Sequence, residues 1–193
     1  MESLLGLLGI FVGILIAVIP YFRRKYFLRP ELTIEIINDG GSSSPRGQSS
    51  KNKVNQEGYI DGNTAIRVFE LTWRFKIKIT NNSDLTAFYP DLEFNPNGPK
   101  FMLIDKLNSL QPIKPTETIE LKVECRKYEE STGQERTNVG RDMPLELNEL
   151  GLLLRYQNSK KSKFYTLYDY HGDGNKNTFL KKRPKEYKNN YDS

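Results

Sequence analysis

One histidine and one cysteine are all that this chain of 193 residues offers toward imidazole or thiolate chemistry. Catalysis needs several such groups to converge with tuned acidity. Cys125 falls at an apolar position of the alternating stretch "ETIELKVECRKY" and is read as a small core residue, not a nucleophile. His171 closes an apolar stretch beside Gly172 and is read as a turn residue. There is no H-E-x-x-H, no G-x-S-x-G, no phosphate-cradling G-x-x-x-x-G-K-[ST] and no paired cysteine ligands. "DGNKN", Asp173 to Asn177, sets oxygen-bearing side chains at every second position, as the front of a calcium loop does. Thr178 stands where such a loop wants Gly, and Glu186 falls one residue past the bidentate place. That leaves an Asx-rich turn. The expectation is a non-enzymatic chain with no cofactor and no metal.

Charge is the more informative chemistry. Arg74, Lys76 and Lys78 occupy alternate positions of "FELTWRFKIKITNNS", and Lys181, Lys182, Arg183, Lys185 and Lys188 crowd the C-terminal stretch. The strand row and the first four of the tail are candidates for contact with an anionic surface, with Phe179 and Tyr187 as aromatic partners at a lipid interface. A solvated strand face that guards a sheet edge is the plainer reading of the row. The aromatics beside Lys76 fall on the opposite side of the strand, which argues against nucleic acid.

A second basic group reads as topology. "LLGLLGIFVGILIAVIPYF", Leu4 to Phe22, contains no charge, and thirteen of its nineteen residues are Leu, Ile, Val or Phe. As a helix it reaches about 28 Å, close to the ~30 Å hydrocarbon core. Arg23, Arg24, Lys25 and Arg29 follow it, while only Glu2 carries side-chain charge before it. A cleaved signal would reverse that charge order and add a small-x-small site. A retained single span is therefore expected, N-terminus outside, with everything after Phe22 cytoplasmic. Gly9, Gly13 and Ala17 recur every four residues, a small-residue ridge on which two spans could pack as a homodimer.

The elements that must position these groups are strands. Leu71, Trp73, Phe75, Ile77 and Ile79 alternate with Thr72, Arg74, Lys76 and Lys78, and Ile119, Leu121, Val123 and Cys125 alternate with Glu120, Lys122, Glu124 and Arg126. "ELTIEII" puts Leu32, Ile34 and Ile36 on one side. "LGLLLRYQNSKKSKFYTLYDY" reads as two strands about a polar turn at Asn158 to Ser162. "LTAFYPDLEF" and "KFMLIDKLNSL" are further candidates, with Pro90 placing the first at an edge or a bulge. A short helical turn is expected near Leu145 to Leu150.

Together these predict an all-β fold: an antiparallel β-sandwich behind one N-terminal transmembrane helix, with a small open β-barrel as the alternative. In the pattern from "WRFKIKITNNSDLTA" to "IKPTETIELKV" the chain resembles immunoglobulin and fibronectin type III domains, without a Cys…Trp…Cys signature. The expected division is an anchor at 1–29, a sandwich at 30–171 with a mobile Gly/Ser-rich loop about 38–64, and a flexible basic tail at 172–193. The expected role is protein binding, as an adaptor at the cytoplasmic face of the cell membrane. The alternative is a small membrane effector whose domain senses or assembles while clustered spans perturb the bilayer.

Overall fold

The computed structural model describes residues 13, 14, 16, 18, 19, 28–96, 101–132, 145–171 and 174–187. Among them run eight strands: β1 (Leu32–Gln48), β2 (Arg67–Asn81), β3 (Phe88–Phe94), β4 (Phe101–Leu103), β5 (Thr118–Ser131), β6 (Gly151–Gln157), β7 (Lys163–His171) and β8 (Gly174–Leu180). They form two four-stranded antiparallel sheets, ordered β1-β2-β5-β4 and β3-β6-β7-β8. Among the described residues no strand of one sheet pairs with a strand of the other, so two separate sheets form there rather than a closed barrel.

Alternation explains why the sheets meet. Leu71, Trp73, Phe75, Ile77 and Ile79 of β2 and Leu121, Val123 and Cys125 of β5 turn to one side. There they share a single core with Leu152, Leu154, Tyr156, Phe164 and Tyr168 of the second sheet. Burying each large apolar side chain contributes roughly 1.5–3 kcal/mol, which outweighs the smaller preferences of individual strand residues. Pro90 lies on the edge strand β3, at a register shift between Phe88 and Asp91, where a missing N–H costs no ladder bond. A 3-10 turn at Leu145–Glu149 leads into β6, with Leu147 and Leu150 buried.

Two expectations change. The segment 38–64 is not one mobile loop: β1 continues to Gln48, opposite Arg67 of β2, through register shifts at Asn38/Gly41 and Pro45/Gly47. Strand pairing uses backbone groups, so "GGSSS" pairs without apolar side chains. Nor does the domain end at His171, because β8 pairs with β7 and a 3-10 turn at Lys185–Tyr187 follows it. The chain after β8 crosses the outer side of the second sheet as a strap. Arg183 Nη2 donates to Glu93 Oε2 of β3 at 2.6 Å, and Tyr187 is buried with Leu153 and Tyr165. Tyr187 is thus a packing residue and not an interfacial one.

The expected anchor at 4–22 lies mostly outside the described residues. Among the described residues no helix is long and apolar enough to cross a membrane. Residues 13, 14, 16, 18 and 19 are helical, and Ile14, Ile16, Val18 and Ile19 are exposed. Gly9, Ala17, Arg23, Arg24 and Lys25 lie outside the described residues, as does Lys188.

Candidate functional site

Strand directions bring one end of the domain together around the point where the chain enters it. β1 starts there and β2 ends there, Leu32 opposite Asn81, and β5 starts alongside, Thr118 opposite Thr80. In the second sheet β6 ends opposite the start of β7, Gln157 against Lys163, and β8 ends at Leu180 opposite Tyr165. Thr166 Oγ1 donates to Leu32 O at 2.8 Å, tying the two sheets at this base.

The entering chain is pinned. Asn158 Nδ2 donates to Leu28 O at 3.0 Å, and Arg29 Nη2 donates to Tyr165 O at 3.1 Å. The Arg29 guanidinium also lies 4.9 Å from the Phe179 ring centre and 5.6 Å from that of Phe164, within cation–π range. Pro30 is buried. Beside Leu28 opens a cleft of about 270 Å³, lined by Leu28, Asp84, Leu85, Thr86, Phe88, Asn158 and Ser159.

The turn that closes this base is held by one side chain. Asn158 Oδ1 accepts from the backbone N–H groups of Lys160 and Ser162, both at 3.0 Å, while Asn158 O accepts from Lys161 N at 2.9 Å. Lys161 adopts φ +61°, a left-handed backbone that L residues other than Asn and Asp rarely take. Lys160, Lys161 and Lys163 are all exposed.

The outer face of the first sheet is charged differently. Lys78 pairs with Glu120 at 3.3 Å, Lys76 with Asp39 at 2.9 Å and Arg74 with Glu124 at 3.2 Å. Glu124 also accepts from Arg126 Nη2 at 2.9 Å, and Glu70 accepts from Arg46 and from Tyr128 Oη. Further along, Glu130 takes Lys51 at 2.5 Å and Ser49 Oγ at 2.7 Å. Arg126 first, then Arg74, holds the Glu124 carboxyl below the usual carboxylate range, against the opposing effect of desolvation. Asp39 likewise holds the Lys76 ammonium above its usual range, and Lys51 followed by Ser49 lowers Glu130.

Residues singled out in the sequence therefore part company. Arg74, Lys76 and Lys78 do form a row, but each cation faces a carboxylate. Lys181, Lys182, Arg183 and Lys185 lie along the start of the strap, with Arg183 committed to Glu93. Arg29 sits inside the base rather than on a free juxtamembrane stretch. The stretch expected to be an Asx-rich turn instead runs into β8, and its amides are engaged: Asn177 Oδ1 accepts from Ile34 N and its Nδ2 donates to Ile34 O, both at 2.8 Å. Asn175 Oδ1 accepts from Ile36 N and from Tyr168 Oη. Among the described residues no group of three His, Cys, Asp or Glu could hold a metal ion. The sequence reading missed the basic turn at Lys160 to Lys163. "NSKKSK" was visible as a turn, but its place beside the entering chain depends on strand order.

No protein family model matches the chain, and no curated protein matches it.

Proposed function

We propose that this is a single-pass membrane protein, spanning at 4–22 with its N-terminus outside. It holds an immunoglobulin-like sandwich at the cytoplasmic face as a non-enzymatic protein-binding module. The observation that carries this reading is the pinned entry. Five residues separate Phe22 from Leu28, and Leu28 and Arg29 are bonded into the base. Such a tether spans at most roughly 22 Å, so the base stays close to the bilayer. Lettered A to G, β1 to β7 give A-B-E-D against C-F-G, the order of constant-type immunoglobulin domains, with β8 added beyond G.

The far end presents the binding surface. The β1–β2 loop is held by Asn52, which exchanges hydrogen bonds with Ile66 N and O at 2.7 and 2.8 Å. It displays Val54 and Tyr59, with Tyr128 exposed on upper β5. Rigid loops carrying exposed aromatic and aliphatic groups suit protein recognition.

Three measurements test this. Protease added to sealed cells should spare the Trp73 region, and alkaline carbonate should leave the chain in the membrane; digestion of that region from outside refutes the orientation. A photo-crosslinker at Tyr59 should capture a protein whose yield falls with Val54→Asp. The effector alternative would pack its spans on the small-residue ridge of Gly9, Gly13 and Ala17, of which Gly13 is helical. Vesicle leakage that requires residues 4–22 would favour it.

A further inference from the structure

We propose that the base of the sandwich is a footing for anionic lipid headgroups, centred on Lys160, Lys161 and Lys163 of the β6–β7 turn and flanked by Lys114 and Lys182. The inference rests on the anchored, cytoplasmic reading above, since that is the leaflet rich in anionic lipid. Three observations carry it. The turn lies at the entry point of the anchor, with Asn158 bonded to Leu28 O. Among the described residues, no acidic side chain pairs with Lys160, Lys161 or Lys163, whereas Arg74, Lys76 and Lys78 on the sheet face are each neutralised. The turn is also preformed: Asn158 fixes its backbone, and Lys161 keeps a charged side chain at a left-handed position that glycine would fill more easily. Glu31, Asp84 and Glu117 stand at the same end. Glu117 spends one carboxylate oxygen on the backbone N–H of Lys114, at 2.7 Å.

Headgroup contact would hold the base flat against the leaflet. Each lysine near a charged surface strengthens binding roughly fivefold, so the three together are worth roughly 100-fold.

The test uses the full chain in vesicles of phosphatidylcholine alone or with phosphatidylserine. A fluorophore on Ser159→Cys reads contact with quencher-labelled headgroups; Cys125 is buried and stays unlabelled. Contact should appear with phosphatidylserine and vanish in high salt. In the triple variant Lys160→Gln, Lys161→Gly, Lys163→Gln its equilibrium constant should fall roughly 100-fold. Lys161→Gly suits the existing backbone, so folding is not put at risk. The control Lys53→Gln, Lys122→Gln, Lys176→Gln, equal in charge but away from the base, should keep contact. Equal contact on both lipids, contact surviving the triple variant, or equal loss in the control overturns the proposal. So does protection of the turn amides by inorganic phosphate alone, which would mark a free-anion site. If carbonate strips the chain from both vesicle types, the anchor reading has failed. Flotation with phosphatidylserine vesicles then reads the footing directly, with the same loss expected in the triple variant.

Discussion

Glu124 shows how much a single outward position of a strand can carry. Alternation sends it away from the core, and yet it is only 8% exposed because Arg74 and Arg126 close over it. Its carboxyl is held below the ordinary value of 4.5, so its contribution is complete above that value and is lost as pH falls through the lowered one. The arginines are half exposed and screened, so Glu124→Gln should cost about 1 kcal/mol at neutral pH. Urea unfolding should show that difference shrinking as acid protonates the wild-type carboxyl. Gly41 is a second such residue. A Cβ there would sit 2.6 Å from the backbone oxygen of Thr72, which the strand pairing holds in place. Gly41→Ala should destabilise by about 1–3 kcal/mol and speed amide exchange over 38–48. Neither effect was legible in the sequence. "GGSSS" does not reveal which glycine lies under a neighbouring strand, and "VEC" does not reveal two arginines folding over its glutamate.

At the scale of elements, β2, β5 and the β6–β7 pair were legible because each buries one face and alternates with period two. The far half of β1 and all of β8 were not. "GGSSSPRGQ" and "GNKNTFL" earn their places through backbone ladders and amide side chains, which leave no apolar rhythm. Asn177 is the sharpest case, since it satisfies both the N–H and the C=O of Ile34 on the edge of the other sheet. Asn177→Ala should cost about 2 kcal/mol by stranding those groups; a thermal melt unchanged from wild type would count against this. The strap depends on Tyr187 in the same way. Tyr187→Ala should cost about 3 kcal/mol or release the strap, read as faster trypsin cleavage at Lys181 and Lys182. Burial raises the Tyr187 phenol above its ordinary value of 10.0. Its stabilisation is therefore whole below pH 10 and lost as pH rises beyond it, so the strap should loosen in alkali and Tyr187→Phe should resist.

Over the whole molecule, the features on which the proposed function rests separate by end: lysines and the entering chain at the base, exposed loop side chains at the top. Only strand order reveals that separation, because residues 28, 114, 160 and 182 are far apart along the chain. Inserting a long Gly/Ser segment between Lys25 and Leu28 should leave stability unchanged while weakening both headgroup contact and partner capture, because effective concentration falls with tether length. The clasp between Ile34 and Asn177 has a different consequence. A bare sheet margin is a template on which foreign β segments dock, the first step toward fibrils. Carboxamides from the molecule's own final strand already occupy the hydrogen-bonding positions at Ile34 and Ile36. Neighbouring copies are thereby kept from zipping into one another along that margin.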